Sequence, residues 1–200
     1  PFGFNATVTT SGVRQSVVMP SFLAVGDTIA ELGAPVAQAV LNSGAVSEAF
    51  ASNPYPGEVA VTAGDLVGGA TGVPNQLPPY PAFVKASYPN QPEAGTSLPG
   101  FTLAALASPR QARADGSIGA SPDASVLQVG QSVGSAEARI TDAGDVEAHG
   151  VSILRNIDIG GAFTIGELRS ELRGVLGADG RPAWASPRRG RGGPPAPGSP

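Results

Sequence analysis

The sequence predicts a mainly β fold, an antiparallel sandwich or strongly curved sheet built from hairpins, with a long Pro-rich insertion and little helix. Three observations carry this expectation. Extended runs in which small apolar and polar residues alternate recur on either side of glycine-bearing turns. Ala supplies 31 of the 200 residues and stands beside 28 Gly and 20 Pro, a composition suited to thin strands separated by turns. Aromatic residues make up only 6% of the chain, so a core has to be assembled from small side chains.

Three segments share the form polar–small–Gly between extended runs: Thr10-Ser-Gly12, Asn42-Ser-Gly44 and Asp142-Ala-Gly144. A three-residue hairpin loop is commonly a type I turn followed by a left-handed residue, and glycine in third place meets that need. Between the first two, Asp27–Ala39 is read as a short helix. Residues 53–100 then carry nine prolines. Proline lacks a ladder donor and is excluded from helix interiors, so this insertion is expected to be mostly loop with a few short elements. Its three tyrosines, Tyr55, Tyr80 and Tyr88, each precede a proline and are its candidate binding residues. Their rings are expected to pack on the pyrrolidines and pin the loop, the alternative being a cis Tyr–Pro bond that sets a turn.

The third turn can be tested for register. With Asp142–Gly144 as the loop, one face collects Ala136, Ala138, Ile140, Val146 and Ala148. The other collects Glu137, Thr141 and Asp145, and sets Arg139 opposite Glu147 and Glu137 opposite His149. Apolar and polar residues sort cleanly, with an opposite-charge pair across the strands. A four-residue loop would set Ile140 against Glu147 and spoil the sorting.

Phe163–Gly174 admits two readings. Thr164 and Glu167 have capping-box spacing, and Ile165, Leu168 and Leu172 fit a helical stripe. As a helix, however, it would set Glu167 against Glu171 and Arg169 against Arg173, like against like. As a strand, the same four charges form one solvated face, which favours strand. Residues 1–176 are therefore expected to form a single β domain, with 53–100 as its insertion. Residues 177–200, rich in Pro, Gly and Arg, are expected to be a disordered tail.

Composition narrows the chemistry. The absence of Cys removes disulfides, thiolate metal sites and cysteine nucleophiles together. The net charge is −4, and residues 1–180 carry 8 basic against 16 acidic groups. Such an acidic body argues against nucleic acid as a partner, because phosphate binding needs basic groups. No apolar run approaches the roughly 18 residues of a membrane span. The chain opens Pro1-Phe2-Gly3, with no methionine and no charged-then-apolar leader, the start expected of a mature form or a fragment.

Two motifs look chemical. Gly130-Gln-Ser132-Val-Gly134 matches the Gly-x-Ser-x-Gly nucleophile elbow, with Asp142, Asp145 or Asp158 as available acids and His149 as the single histidine. The elbow needs a strand-to-helix turn, whereas an extended run, Ser135–Ile140, follows this serine. The match is therefore read as loop glycines. Asp145, Glu147 and His149 lie two apart and would leave one face of a strand together, a spacing able to present ligands to a metal. Their pairing with Arg139 and Glu137 makes them a solvated face instead. Gly64–Gly72 is glycine-rich but lacks the Lys-Ser/Thr of a phosphate loop. No cofactor is expected, and an enzyme is the third choice, as a serine hydrolase at Ser132.

Several stretches resemble a group of uncharacterised Ala/Gly-rich exported proteins of high-GC actinobacteria. They are Ala34-Pro-Val-Ala-Gln-Ala39, Ala49-Phe-Ala-Ser-Asn-Pro-Tyr-Pro-Gly57, Ser87-Tyr-Pro89, Pro99-Gly-Phe-Thr-Leu103 and Ile157-Asp-Ile-Gly-Gly161. The resemblance implies an extracellular or surface-exposed β protein and supplies no activity. The expectation is a non-enzymatic exported or cell-surface domain with a binding or structural role, a possible component of the cell envelope. The alternative is a carrier of a lipid or other small apolar molecule in a cavity of the curved sheet.

Overall fold

A computed structural model describes residues 3–18, 28–54, 82–120 and 127–182. Ten strands make up most of them: β1 (Asn5–Val18), β2 (Thr28–Asn42), β3 (Ser47–Ser52), β4 (Phe83–Ser87), β5 (Glu93–Leu98), β6 (Phe101–Ser108), β7 (Gln111–Ile118), β8 (Leu127–Ile140), β9 (Val146–Ile159) and β10 (Phe163–Leu176). Each pairs antiparallel with its neighbour in sequence, giving one sheet ordered β1-β2-β3-β4 and another ordered β10-β9-β8-β7-β6-β5. The two lie face to face without closing into a barrel: a sandwich, as the sequence predicts, with no helix among the described residues.

Alternation dictates which face each strand buries. From β2 come Ala37, Ala39 and Leu41, from β3 Ala49 and Ala51, and from β4 Val84 and Ala86. The facing sheet answers with Leu103, Ala105, Ala107, Ala112, Ala114, Ala136 and Ala138, and all of these are buried. Every other residue along these strands points outward, the period-2 pattern of a sheet with one solvated face. Methyl groups fill so little space that glycines come close to the opposite layer. A Cβ added to Gly116 would lie 2.8 Å from Pro35 Cβ, and one added to Gly150 would lie 2.9 Å from Thr10 Cγ2. Hydroxyls also span the gap: Ser47 Oγ donates to the Gln111 carbonyl at 3.1 Å and Ser152 Oγ to the Ser11 carbonyl at 2.9 Å.

The chain passes from one sheet to the other at Tyr88–Asn90, through a cis Tyr88–Pro89 bond. Reciprocal bonds between the backbones of Ser87 and Gln91, both 2.7 Å, hold that corner together. Cis bonds also precede Pro35 and Pro54. Among the described residues the opposite side of the sandwich is open. There β1 lies over β8 and β9, and among the described residues no strand lies across from β10.

The β8–β9 hairpin has the expected register, with Ile140 facing Val146, Arg139 facing Glu147 and Glu137 facing His149. Gly144 takes φ 87°, the left-handed third residue of the loop. Phe163–Gly174 is strand, within β10.

Four expectations need correction. Thr10-Ser-Gly12 is not a turn but lies inside β1, where Gly12 leaves room for the Ala34 carbonyl and the Ser132 hydroxyl. The helix expected over Asp27–Ala39 is not formed by its described part: Thr28–Asn42 is a single strand, whose Ala37 and Ala39 alternate into the core. The Asn42 turn is displaced by one residue, its left-handed position falling on Ala45 at φ 62° rather than on Gly44. The side chain of Asn42 explains the displacement, since its Oδ1 accepts from the amides of Gly44 and Val46 and keeps Asn42 as the last paired residue. Finally, the glycines of Gly130–Gly134 belong to β8 rather than to a loop.

Within the Pro-rich stretch, residues 83–87 and 93–98 form β4 and β5, two of the short elements anticipated there. Tyr55, Tyr80 and Gly64–Gly72 lie outside the described residues, as does the tail beyond Pro182. The start of that tail is tied back by the Gly177 amide donating to the Arg181 carbonyl at 2.8 Å.

Candidate functional site

The richest chemistry sits on the outer face of β8, β9 and β10, where the odd-numbered residues of three long strands emerge side by side. Arg139 reaches across to Glu147 at 2.7 Å, and Arg173 reaches the other oxygen of the same carboxylate at 2.9 Å. These two guanidinium groups, Arg139 foremost, hold the Glu147 carboxyl below its ordinary range. Next along, His149 Nε2 stands 2.9 Å from Glu171 Oε1, whose other oxygen meets Arg169 at 2.8 Å. Arg169 first, and then His149, lower the Glu171 carboxyl. Arg155 bridges Glu167 and Gln131, both at 2.9 Å. Glu137, Arg139, Glu147, His149, Glu171 and Arg173 line a shallow depression of about 260 Å³.

Of the candidate residues singled out in the sequence, Tyr55 and Tyr80 lie outside the described residues, and the structure places the others. Arg139 and Glu147 pair as expected. His149 faces Glu137 in register, but its ring meets Glu171 of β10, a partner that becomes visible only once β10 is known to be the next strand. Asp145 does not join them. It sits in the turn, where its Oδ1 accepts from the Ala178 amide at 2.9 Å. Among the described residues no three of His, Asp and Glu converge in a way that could hold a metal ion.

Ser132 is 5% exposed on the inner face of β8, and its Oγ donates to the Ala34 carbonyl at 3.3 Å. His149 leaves β9 on the opposite face of the sheet, so serine and histidine are separated by the layer itself. The candidate acids serve turns: Asp158 Oδ1 accepts from the Gly161 amide at 2.7 Å, and Asp142 meets Arg110 at 3.4 Å. Tyr88 is 39% exposed, at the corner between the sheets.

Sequence reasoning missed the inner face of β10. With no strand opposite among the described residues, Leu168 and Leu172 are 53% and 72% exposed. Together with Val8, Thr10, Gly150 and Leu154 they border a groove of about 320 Å³ beside the outer edge of β1. The signal was available in the strand reading, which puts Leu168 and Leu172 on one face, but whether that face is covered depends on how far the other sheet extends.

These features define a class: a two-sheet antiparallel β-meander whose longer sheet overhangs the shorter and ends in an exposed, charged strand. No protein-family model, curated protein or solved structure matches the chain.

Proposed function

We propose that this chain is a non-catalytic β domain, exported or held at the cell surface, which binds or builds through the C-terminal edge of its longer sheet. The observation that carries the reading is β10, fourteen residues long, with apolar side chains exposed on one face and a network of charges on the other. Large apolar groups left in water along an ordered strand are a hallmark of contact surfaces. The burial of Ser132 against Ala34 supports a structural role for the one serine that resembles a nucleophile. Export rests on the resemblance to exported Ala/Gly-rich proteins. Among the described residues no helix is long and apolar enough to cross a membrane.

Cell fractionation of the source organism tests the location. Recovery of the chain in the envelope or the medium supports the reading, and recovery in the cytosol overturns it. Labelling with a fluorophosphonate probe tests the chemistry, because labelling that disappears in Ser132→Ala would make the chain a serine hydrolase. The groove between β1 and β10 favours a second reading, a carrier of a small apolar molecule. Lipid retained by the purified chain in a native mass spectrum would support that alternative.

A further inference from the structure

The charges of β10 are self-complementary. From Glu167 to Arg173 the strand reads Glu-Leu-Arg-Ser-Glu-Leu-Arg. When a second copy is laid antiparallel with Ser170 facing Ser170, Glu167 faces Arg173, Leu168 faces Leu172 and Arg169 faces Glu171. The twofold axis then repeats all three pairs. Beyond them Gly166 meets Gly174 and Ile165 meets Val175, so the match extends in both directions. Sliding the register to centre on Arg169 sets that residue on itself and Glu167 against Glu171. Centring it on Glu171 sets Arg169 against Arg173. Directly opposite like charges destabilise a strand pair and opposite charges stabilise it, so these neighbouring registers are disfavoured.

The edge is also open to such a partner. Among the described residues no strand pairs with the second backbone edge of β10, which carries only the isolated bridge of Leu176 to Pro182 at its far end. Among the described residues nothing lies within 4 Å of a Cβ added at Gly166, so none of their side chains crowds that position. Edge strands guarded against association commonly carry charge of one sign, often lysine, which repels a copy of itself in any register. Here the signs alternate, and the pattern invites its own image.

We propose that two copies of the chain associate through β10, joining their six-stranded sheets into one continuous antiparallel sheet about a twofold axis at Ser170. This deepens the reading of β10 as the contact element and names the occupant as a second copy. It is independent of where the protein resides. The four leucines, Leu168 and Leu172 from each copy, form one apolar cluster on the inner side. On the outer side the ion pairs already made to His149, Arg155 and Glu147 extend across the axis. An isologous contact of this kind closes at two copies and leaves no further β10 edge.

The test uses the full chain in sedimentation equilibrium. The unaltered protein is expected to dimerise. A variant with Glu167→Arg and Glu171→Arg, and a second with Arg169→Glu and Arg173→Glu, are each expected to associate at least about tenfold more weakly, since every cross-axis pair becomes like-charged. Mixing the two variants is expected to restore a heterodimer. Circular dichroism of each variant verifies that the β fold is retained. Because the chain has no cysteine, Ser170→Cys gives a second readout that needs no charge change. Facing residues of antiparallel strands have Cα atoms about 4.5 or 5.5 Å apart, both within reach of a disulfide. Mild oxidation is expected to link this variant far faster than Ser97→Cys on exposed β5. A monomer at all concentrations, a dimer insensitive to both charge reversals, or equal linking rates would overturn the proposal. Cytosolic recovery of a chain that still dimerises through β10 would overturn export alone.

Discussion

Gly116 and Gly166 are the same residue type in the same kind of strand, yet they answer to different physics. At Gly116 the opposite sheet stands so near that a methyl group would collide with Pro35 at 2.8 Å, whereas at Gly166 an added methyl meets nothing among the described residues. Gly116→Ala is therefore expected to destabilise the fold by about 1–3 kcal/mol through overpacking. Gly166→Ala is expected to stay within about 0.5 kcal/mol of the unaltered chain, and urea unfolding of the two variants checks the contrast. Glu147 gives a prediction in pH. Its carboxyl is held below the ordinary range by Arg139 and Arg173, so the folded state binds its proton less tightly than the unfolded chain does. The stabilisation is complete above the ordinary carboxylate range and is lost as the pH falls through the lowered folded-state value. Glu147→Gln should cost about 1 kcal/mol at neutral pH, with the gap closing in acid. A gap of constant size from neutral to acid pH would refute the assignment.

Hairpins are the elements in which local sequence speaks most clearly, and two of them place different residues in the same left-handed position. Gly144 takes it at no steric cost, whereas Ala45 takes it with a Cβ that crowds the following carbonyl. Ala45→Gly is expected to raise stability, and Gly144→Ala to lower it, each by about 1 kcal/mol, as thermal unfolding would show. The β8–β9 hairpin was legible because both its strands alternate and its turn residues agree with that alternation. Thr10-Ser-Gly12 has the same local form but sits mid-strand, since its glycine answers to Ala34 of the neighbouring strand and Ser132 of the other sheet. The alanines of β2 suit a helix in isolation, and only the facing sheet makes alternate ones core. The site divides in the same way. Arg139 with Glu147 follows from one hairpin, whereas His149 with Glu171 and Arg173 with Glu147 need the next strand to be known.

At the scale of the molecule, two meanders of unequal width meet at the corner held by Ser87 and Gln91 and part on the side of β1 and β10. A sandwich could be read from alternation, but the overhang could not, because sheet width is decided by where the chain crosses between layers. What fills the sandwich has a thermal consequence. Alanine loses no rotamer freedom on burial, but it also hides little apolar area for each peptide group hidden with it. Apolar exposure raises the heat capacity of unfolding and polar exposure lowers it. A core of Ala37, Ala39, Ala49, Ala51, Ala112, Ala114, Ala136 and Ala138 should therefore unfold with a heat-capacity increment below the usual 12–15 cal/mol/K per residue, roughly, by scanning calorimetry. A smaller increment flattens the stability curve, so the fold should lose little of its stability on cooling and keep a nearly even margin across a wide span of temperatures.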